Sequence, residues 1–304
     1  MNGRSGGQEA TAAVGDAAVT ACDGTPDRLT AVSSGRLTAP SFTWRLLVEP
    51  DGRPGCVNMA IDQSLLEEAD RSHTAQLRLY RWNPPCLSFG RHEPTRRYDR
   101  ALLERLGLDV VRRPTGGRAV WHEYEVTYAV AAPIAAFGSL RAAYRAIHER
   151  LAAALRSLGA DASLAPDRLT ARPPDRPGTC FESPVGGEVL VWGRKLVGSA
   201  QVRRARAFLQ HGSILLDGSQ EIIQAVSRQT SDVRRQTSGV RGATTLSTAL
   251  GRRVTFEEVA QAIIGAWGST LAATAPVRPR PPLSASPPDR LTAFFLDPAW
   301  TWRR

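Results

Sequence analysis

The sequence predicts an α+β domain with a mixed, largely antiparallel sheet packed by helices. Strand-like runs come in adjacent groups rather than alternating singly with helical patterns, which separates this class from a doubly wound parallel sheet. Apolar residues make up 42% of 304, charged residues only 22%, and Trp numbers seven, so a substantial core is affordable and generic disorder is excluded. The length is about twice that of a typical domain, but both ends read as accessory segments and leave a body of about 230 residues.

The elements follow from periodicity and punctuation. Residues 58–71 place Met59, Ile61, Leu65, Leu66 and Ala69 at near-helical spacing, with Asn58 as N-cap. Residues 77–80 and 86–90 read as strands on either side of the Asn83-Pro84-Pro85 turn. A short helix over 99–106 stops at Gly107, and a long one over 140–158 stops at Gly159. Strands are expected at 109–113, 118–121 and 125–131, the last alternating Val126, Tyr128 and Val130. Residues 188–192 and 195–202 are expected to form a hairpin around Gly193-Arg194, with 207–216 as a third strand. Helices at 244–250 and 255–271 close the body.

Residues 1–40 hold three Arg and four acidic residues, many small residues and no hydrophobic period, and read as a flexible extension. Residues 41–273 form the body. Residues 274–304 begin as a proline-rich connector and end in an aromatic tail, where Phe294, Phe295, Trp300 and Trp302 are expected to pin the terminus to the body. No apolar run reaches the roughly 18 residues of a membrane span, and the N-terminus has no secretory pattern, so a cytoplasmic protein without a membrane partner is expected. Four Cys without metal-type spacing predict neither a disulfide scaffold nor a zinc site.

The net charge is +10 and the pI 10.4. Such a balance invites nucleic acid, anionic membrane or an acidic protein. No recognised nucleic-acid module accompanies the charge, and acidic carrier proteins fit it better. Of the 39 basic residues, 38 are Arg, and the single Lys is Lys195. Lys can surrender a proton near neutrality and Arg cannot, so the surviving Lys stands where a guanidinium would fail.

Two constellations carry chemistry. Arg112-Arg113-Pro114-Thr115-Gly116-Gly117-Arg118 lies between two expected strands, where it reads equally as a tight hairpin or as a backbone cradle for an anion. Gly178–Pro184 contains Cys180 in a loop rich in Gly and Pro, and Gly193–Gln201 follows, with Lys195 fifteen residues after the thiol. A cation near a partly exposed thiol favours the thiolate, the nucleophilic form. Cys22, Cys56 and Cys86 lack that setting; Cys56 precedes a helix and Cys86 sits in an apolar strand.

Jointly, these segments resemble the biotin/lipoate protein ligase and transferase superfamily. The likeness rests on R-R-P-T-G-G-R-A-V-W-H at 112–122, G-R-K-L-V-G-S-A-Q at 193–201 and L-Q-H-G-S-I-L-L-D at 209–217. Asn58–Asp62 and Y-R-W-N-P-P-C-L-S-F-G at 80–90 match in the same order. The resemblance implies a lipoate ligase-like catalytic domain. Arg118, standing where ATP-dependent lipoate ligases have a third glycine, is similar to the octanoyltransferases. Cys180-Phe181-Glu182-Ser183-Pro184 resembles the loop of the Cys-dependent octanoyltransferases of lipoate assembly.

By that resemblance Cys180 carries the acyl thioester and Lys195 lowers its pKa. The substrate-binding residues implied are Arg113, Thr115, Gly116, Gly117, Arg118, His122, Gly198, Ser199, Ala200, Gln201, His211 and Gly212. The implied donor is octanoylated acyl carrier protein, whose phosphopantetheine is its own, so no separate cofactor or metal is expected. The implied acceptors are lipoyl-domain proteins such as glycine cleavage H protein or 2-oxoacid dehydrogenase E2. An ATP-dependent lipoate ligase and an octanoyl amidotransferase between lipoyl domains are the enzymatic alternatives, and a non-enzymatic nucleic-acid binder the remaining one. Val185-Gly186-Gly187 stands where the superfamily has bulky aromatics before the residue matching Glu188, which implies a differently shaped acyl pocket.

Residues 1–40 lie outside every motif, so their removal should leave activity intact. A soluble truncated protein assayed against the full chain checks this, and a loss beyond about tenfold, roughly 1.4 kcal/mol, would assign the extension to the site.

Overall fold

The computed structural model describes residues 42–167, 181, 184–228, 243–272 and 289–303. The expected extension at 1–40, Cys180 and most of the proline-rich connector lie outside them.

Five strands make the main sheet, in the spatial order β1 (Thr43–Arg53), β2 (Thr74–Trp82), β6 (Glu125–Pro133), β11 (Ala207–Leu215) and β10 (Val197–Arg204). β1 and β2 are parallel, joined through α1 (Gly55–Arg71), and the other three pairings are antiparallel. The expected mixed, largely antiparallel sheet is what forms. Its central strand β6 is buried along its whole length and uses its two faces differently. Val126, Tyr128 and Val130 face α3 (Leu140–Ser157) and α6 (Phe256–Ala272), in a core with Ile147, Leu151, Phe208, Ile263 and Trp267. The alternate residues Ala129 and Ala131 are small and share the opposite core with Met59 and Leu66 of α1. Burying each large side chain contributes about 1.5–3 kcal/mol, so the period of two in this strand fixes which helices go on which side.

A second sheet sets β3 (Cys86–Phe89) between β4 (Asp109–Arg112), parallel, and β5 (Val120–His122), antiparallel. A third joins β7 (Ala162–Leu164), β8 (Val189–Val191) and β9 (Arg194–Lys195). Short helices complete the described chain: α2 (Arg100–Arg105), α4 (Glu221–Ala225), α5 (Leu246–Leu250), α7 (Asp289–Leu296) and α8 (Pro298–Thr301). Gly107 and Gly159 end α2 and α3 with positive φ, as their positions predicted. Among the described residues, no helix is long and apolar enough to cross a membrane.

Several expectations are corrected. Asn58 is not a cap: α1 begins at Gly55, and the buried Asn58 amide donates to the carbonyls of Arg53 and Arg81 at 3.1 and 3.0 Å. Cys56 consequently lies inside the helix rather than before it. Residues 112–118 are not a hairpin, because β4 and β5 both pair with β3 and the segment crosses over its end. The crossing is tight enough that a Cβ on Gly90 would meet the Gly117 carbonyl oxygen. Residues 195–202 are not one strand: Lys195 pairs with Leu190 in the third sheet, and the chain turns at Leu196 into the main sheet. The β8–β9 turn is made by Trp192 and Gly193, both at positive φ, instead of Gly193 and Arg194. β1 escaped notice because it is an edge strand of mixed exposure that bulges between Glu49 and Arg53.

The terminus is stitched to the second sheet by a buried guanidinium. Arg112 donates to the carbonyls of Gly90, Arg91 and Glu93 on one side, and to Trp300, Thr301 and Arg303 on the other, at 2.7–3.2 Å. Trp300 Nε1 returns a bond to the Arg112 carbonyl at 2.8 Å, and Phe295 fills the core beneath α1. Burial pushes the Arg112 guanidinium down to about 10, and the neighbouring Arg303 adds to the effect. Arg112→Ala should cost at least about 3 kcal/mol, since it strands the buried carbonyls of Gly90, Glu93 and Thr301; urea unfolding against wild type is the measurement.

Candidate functional site

A cleft opens between the main sheet and the segment 113–122, floored by Gly198, Ser199 and Ala200 of β10 and His211 and Gly212 of β11. Arg113 and His122 line the opposite wall, so seven of the residues singled out in the sequence meet here. Met59, Tyr80, Trp82, Thr127 and Ser213 also line it and were missed. Met59, Tyr80, Thr127 and Ser213 fall on expected helix or strand positions that read as core and Trp82 just beyond one, and only the packing of two sheets turns them toward a common space.

Two histidines face the cleft, and both ring nitrogens of each are engaged. His122 Nδ1 donates to Glu125 Oε1 at 2.8 Å, which leaves Nε2 to accept from the Ser88 hydroxyl at 2.7 Å. The ring stacks on Trp82 with centroids 4.0 Å apart. Glu125 Oε1 also accepts from Ser213 at 2.9 Å and from Thr127, whose oxygen in turn accepts from Trp82 Nε1 at 2.7 Å. His211 Nδ1 donates to Asp62 Oδ2 at 2.8 Å, and Nε2 accepts from Thr115 at 2.6 Å. Rings tied at both ends orient their neighbours and are poorly placed to exchange protons with a substrate.

Asp62 accepts two further hydrogen bonds besides that of His211. It accepts from Arg78 at 2.8 Å and from Tyr80 at 2.9 Å, both fully buried. Burial alone would raise its carboxyl, but the His211 hydrogen bond and the Arg78 guanidinium outweigh that and hold it below the usual range. Burial likewise lowers the His211 imidazole, against the pull of Asp62.

The 112–118 segment is not an open anion cradle. Arg113 Nη1 donates to Ser88 and Nη2 to the carbonyls of Gly116 and Arg118, at 2.6–3.1 Å, so its guanidinium shapes the loop from within. Thr115 is buried behind His211, while Gly116 and Arg118 are half-buried and Gly117 exposed on the loop itself. Gln201 does not line the cleft; it donates to the Leu140 carbonyl at the start of α3 and to Gln210 of β11.

Lys195 lies beside the cleft rather than in its wall. Its ammonium is buried against Glu188 Oε1 at 2.7 Å, and Glu188 Oε2 accepts from the Val185 backbone at 2.7 Å. Burial pushes the Glu188 carboxyl up, although Lys195 pulls the other way. Phe181 is fully buried, with the Lys195 ammonium 5.5 Å from its ring centroid. A Cβ on Gly198 would touch that ring at 2.9 Å, so the glycine leaves room for it against the strand. Nearby, His148 is buried, its pKa pushed down to about 3 by burial and by Lys195, and it bonds Ser199 at 2.8 Å as a neutral ring. Ser199 also meets Tyr128 at 2.7 Å. His148 and Tyr128 were not foreseen, because a lone His or Tyr within an apolar period reads as core. Among the described residues, no three His, Cys, Asp or Glu are grouped to hold a metal ion.

The two faces of helices around this sheet, with the cleft at the β10–β11 pair, define the lipoate ligase-like fold. The chain aligns with a TM-score of 0.63 to a bipartite lipoate protein ligase from Thermoplasma acidophilum, over 86% of this chain and 97% of that one at 19% identity. It aligns at 0.62 with a lipoate-protein ligase A bound with ATP, over 86% and 99%, again at 19% identity. The chain belongs to the lipoyl protein ligase A/B catalytic-domain family, which it matches over residues 54–268. It is 38% identical to the octanoyltransferase LipM of Kyrpidia tusciae over 86% of this chain and 99% of that protein. The octanoyltransferase LipM of Bacillus subtilis is 33% identical over 72% of this chain and 83% of its own length.

Asp62 has a depressed folded-state pKa, so its contribution is present above the unfolded value of about 4 and is lost as pH falls through the folded one. Asp62→Asn should therefore destabilise by about 3 kcal/mol at neutral pH, by removing the fully buried one of Arg78's two carboxylate partners and leaving only Glu49. Urea unfolding of both proteins between pH 7 and 2 should show that gap closing only in acid.

Proposed function

We propose that this chain transfers octanoyl groups in two steps through a thioester on Cys180. The chain is an octanoyltransferase of lipoate assembly, as its relatives are, and lipoyl-domain proteins are its acceptors. The supporting observation is the anchored Phe181. The peptide bond ties it to Cys180, its ring is packed on Gly198, and the buried Lys195–Glu188 pair stands beside it.

In the first step the Cys180 thiolate attacks the carbonyl carbon of an octanoyl thioester. The new C–S bond forms as the donor's C–S bond breaks, and the phosphopantetheine of acyl carrier protein leaves as a thiol with the proton from Cys180. In the second step a lipoyl-domain lysine, as the free amine, attacks the acyl-enzyme. The amide forms, the Cys180–acyl bond breaks, and the amine's proton returns the thiol. Exchange of thioester for thioester is nearly isoenergetic and amide formation runs downhill, so ATP has no part in the reaction.

Lys195 stabilises the thiolate and carries protons between the two steps; Glu188 holds its ammonium in place in the dry interior. The acyl chain lies along the floor of the cleft, which Gly198 and Gly212 line. A Cβ at Gly212 would meet the Gly198 carbonyl and the Ser199 hydroxyl at 2.5 and 2.6 Å. Octanoylated acyl carrier protein as donor, and glycine cleavage H protein or a 2-oxoacid dehydrogenase E2 as acceptor, complete the reading.

Mixing with octanoyl carrier protein should give a single octanoyl adduct by intact mass, removed by hydroxylamine and absent from Cys180→Ala. An adduct that survives in the Ala variant would sink the covalent route. Lys195→Arg should fold, form the acyl-enzyme at a reduced rate, and lose a factor on the order of one hundred or more in transfer to the amine, since a guanidinium keeps its proton. Single-turnover kinetics of the two halves checks this; near-wild-type rates in both would make Lys195 a replaceable cation.

A further inference from the structure

A knot of guanidinium groups stands where the C-terminal segment meets the second sheet. Arg112 and Arg113 direct their donors to backbone carbonyls. Arg91 and Arg303 are different. Both are half-buried and both lie over the same indole, with the Arg303 guanidinium 3.9 Å and that of Arg91 5.9 Å from the Trp300 ring centre. Arg303 gives one N–H to the Arg91 carbonyl at 2.5 Å. Among the described residues, no carboxylate lies within ion-pair distance of either: Glu93, two residues from Arg91, is taken by the Tyr98 hydroxyl at 2.9 Å and approached by Arg97 at 3.7 Å. Burial and then Arg91 push the Arg303 guanidinium below its ordinary value. Stacking on Trp300 offsets part of the repulsion between the two cations, and an anion would remove the rest.

The pair stands behind the segment that walls the cleft. The Arg91 backbone donates to the Thr115 carbonyl at 2.7 Å, Thr115 bonds the cleft-lining His211, and Gly90 packs on Gly117. We propose that Arg91 and Arg303, held on Trp300, bind the phosphate of a phosphopantetheine-borne acyl donor beside this wall. The inference rests on the reading of the reaction as thioester transfer. Two guanidinium forks match the oxygens of a phosphate in a way that a single ammonium cannot. The pantetheine arm is long and flexible, so its phosphate gains from a fixed point outside the cleft, and the stacked pair beyond the cleft wall offers one. It also gives the terminal segment a task beyond packing, because that segment supplies Trp300 and Arg303.

The test compares octanoyl-phosphopantetheine with octanoyl-pantetheine, which lacks the phosphate. Wild type should favour the phosphorylated donor by at least about tenfold in kcat/KM, expressed in KM, and Arg91→Gln and Arg303→Gln should each reduce the preference below threefold. Arg91→Lys, which keeps the charge without the fork, should retain an intermediate preference. A second measurement is independent of turnover: ³¹P line broadening of free phosphopantetheine titrated with the full chain should show binding weakened about tenfold in Arg91→Gln. Equal donor preference in wild type and variants, or unchanged ³¹P titrations, overturns the inference. If wild type uses neither thioester, the proposed reaction fails, and the ³¹P titration still decides whether the phosphate site exists.

Discussion

The cleft depends on one buried carboxylate. Asp62 projects from α1 into the sheet and accepts from Arg78 and Tyr80 of β2 and from His211 of β11. Through His211 it reaches Thr115, and so the crossing segment that forms the opposite wall. Helix, sheet and loop are therefore registered on a single charged centre in the dry interior, where an unmatched partner is costly. The second relay, from Glu125 through His122 to Ser88, ties the second sheet to the first in the same manner. Rigid walls of this kind suit a site in which the moving parts are the substrate's acyl chain and the incoming amine.

The abundance of Arg is used inside the protein as much as on its surface. Arg78 and Arg112 are fully buried, and Arg113 nearly so. Arg78 is matched by Asp62 and Glu49, whereas Arg112 has backbone carbonyls on all sides. A planar five-donor fork can satisfy several carbonyls at once, and an ammonium on a flexible stem could not hold two chain segments in that way. Lys195 is the counterexample. It pairs with the Glu188 carboxylate in the dry interior, beside the buried ring of Phe181.

Sequence alone was informative wherever residues act locally. The alternation in β6 gave its faces, and the glycines at 107 and 159 gave the helix ends. Seven residues marked in the sequence converge on the cleft, and the family match covers the segments that had carried the resemblance. Two expectations fail for one reason: in 112–118 and 195–202, neighbours in sequence are not neighbours in a sheet. In fact β4 and β5 pair with β3, and Lys195 belongs to a different sheet from Val197.

What the sequence by itself determined is the chemistry at hand: a lone Lys, a Cys in a glycine- and proline-rich loop, and the order of motifs that identify the family. What only the tertiary structure decided is which polar groups are left available. Whether His122 and His211 exchange protons or brace the walls turns on Glu125, Ser88, Asp62 and Thr115, each remote in sequence from at least one partner. Whether the arginines of 112–118 greet an anion or clamp a backbone turns on where the C-terminal segment lands, nearly two hundred residues later. Hydrogen-bond valence is finite and is assigned in three dimensions, so a residue's type limits what it can do and its packed neighbours settle what it does.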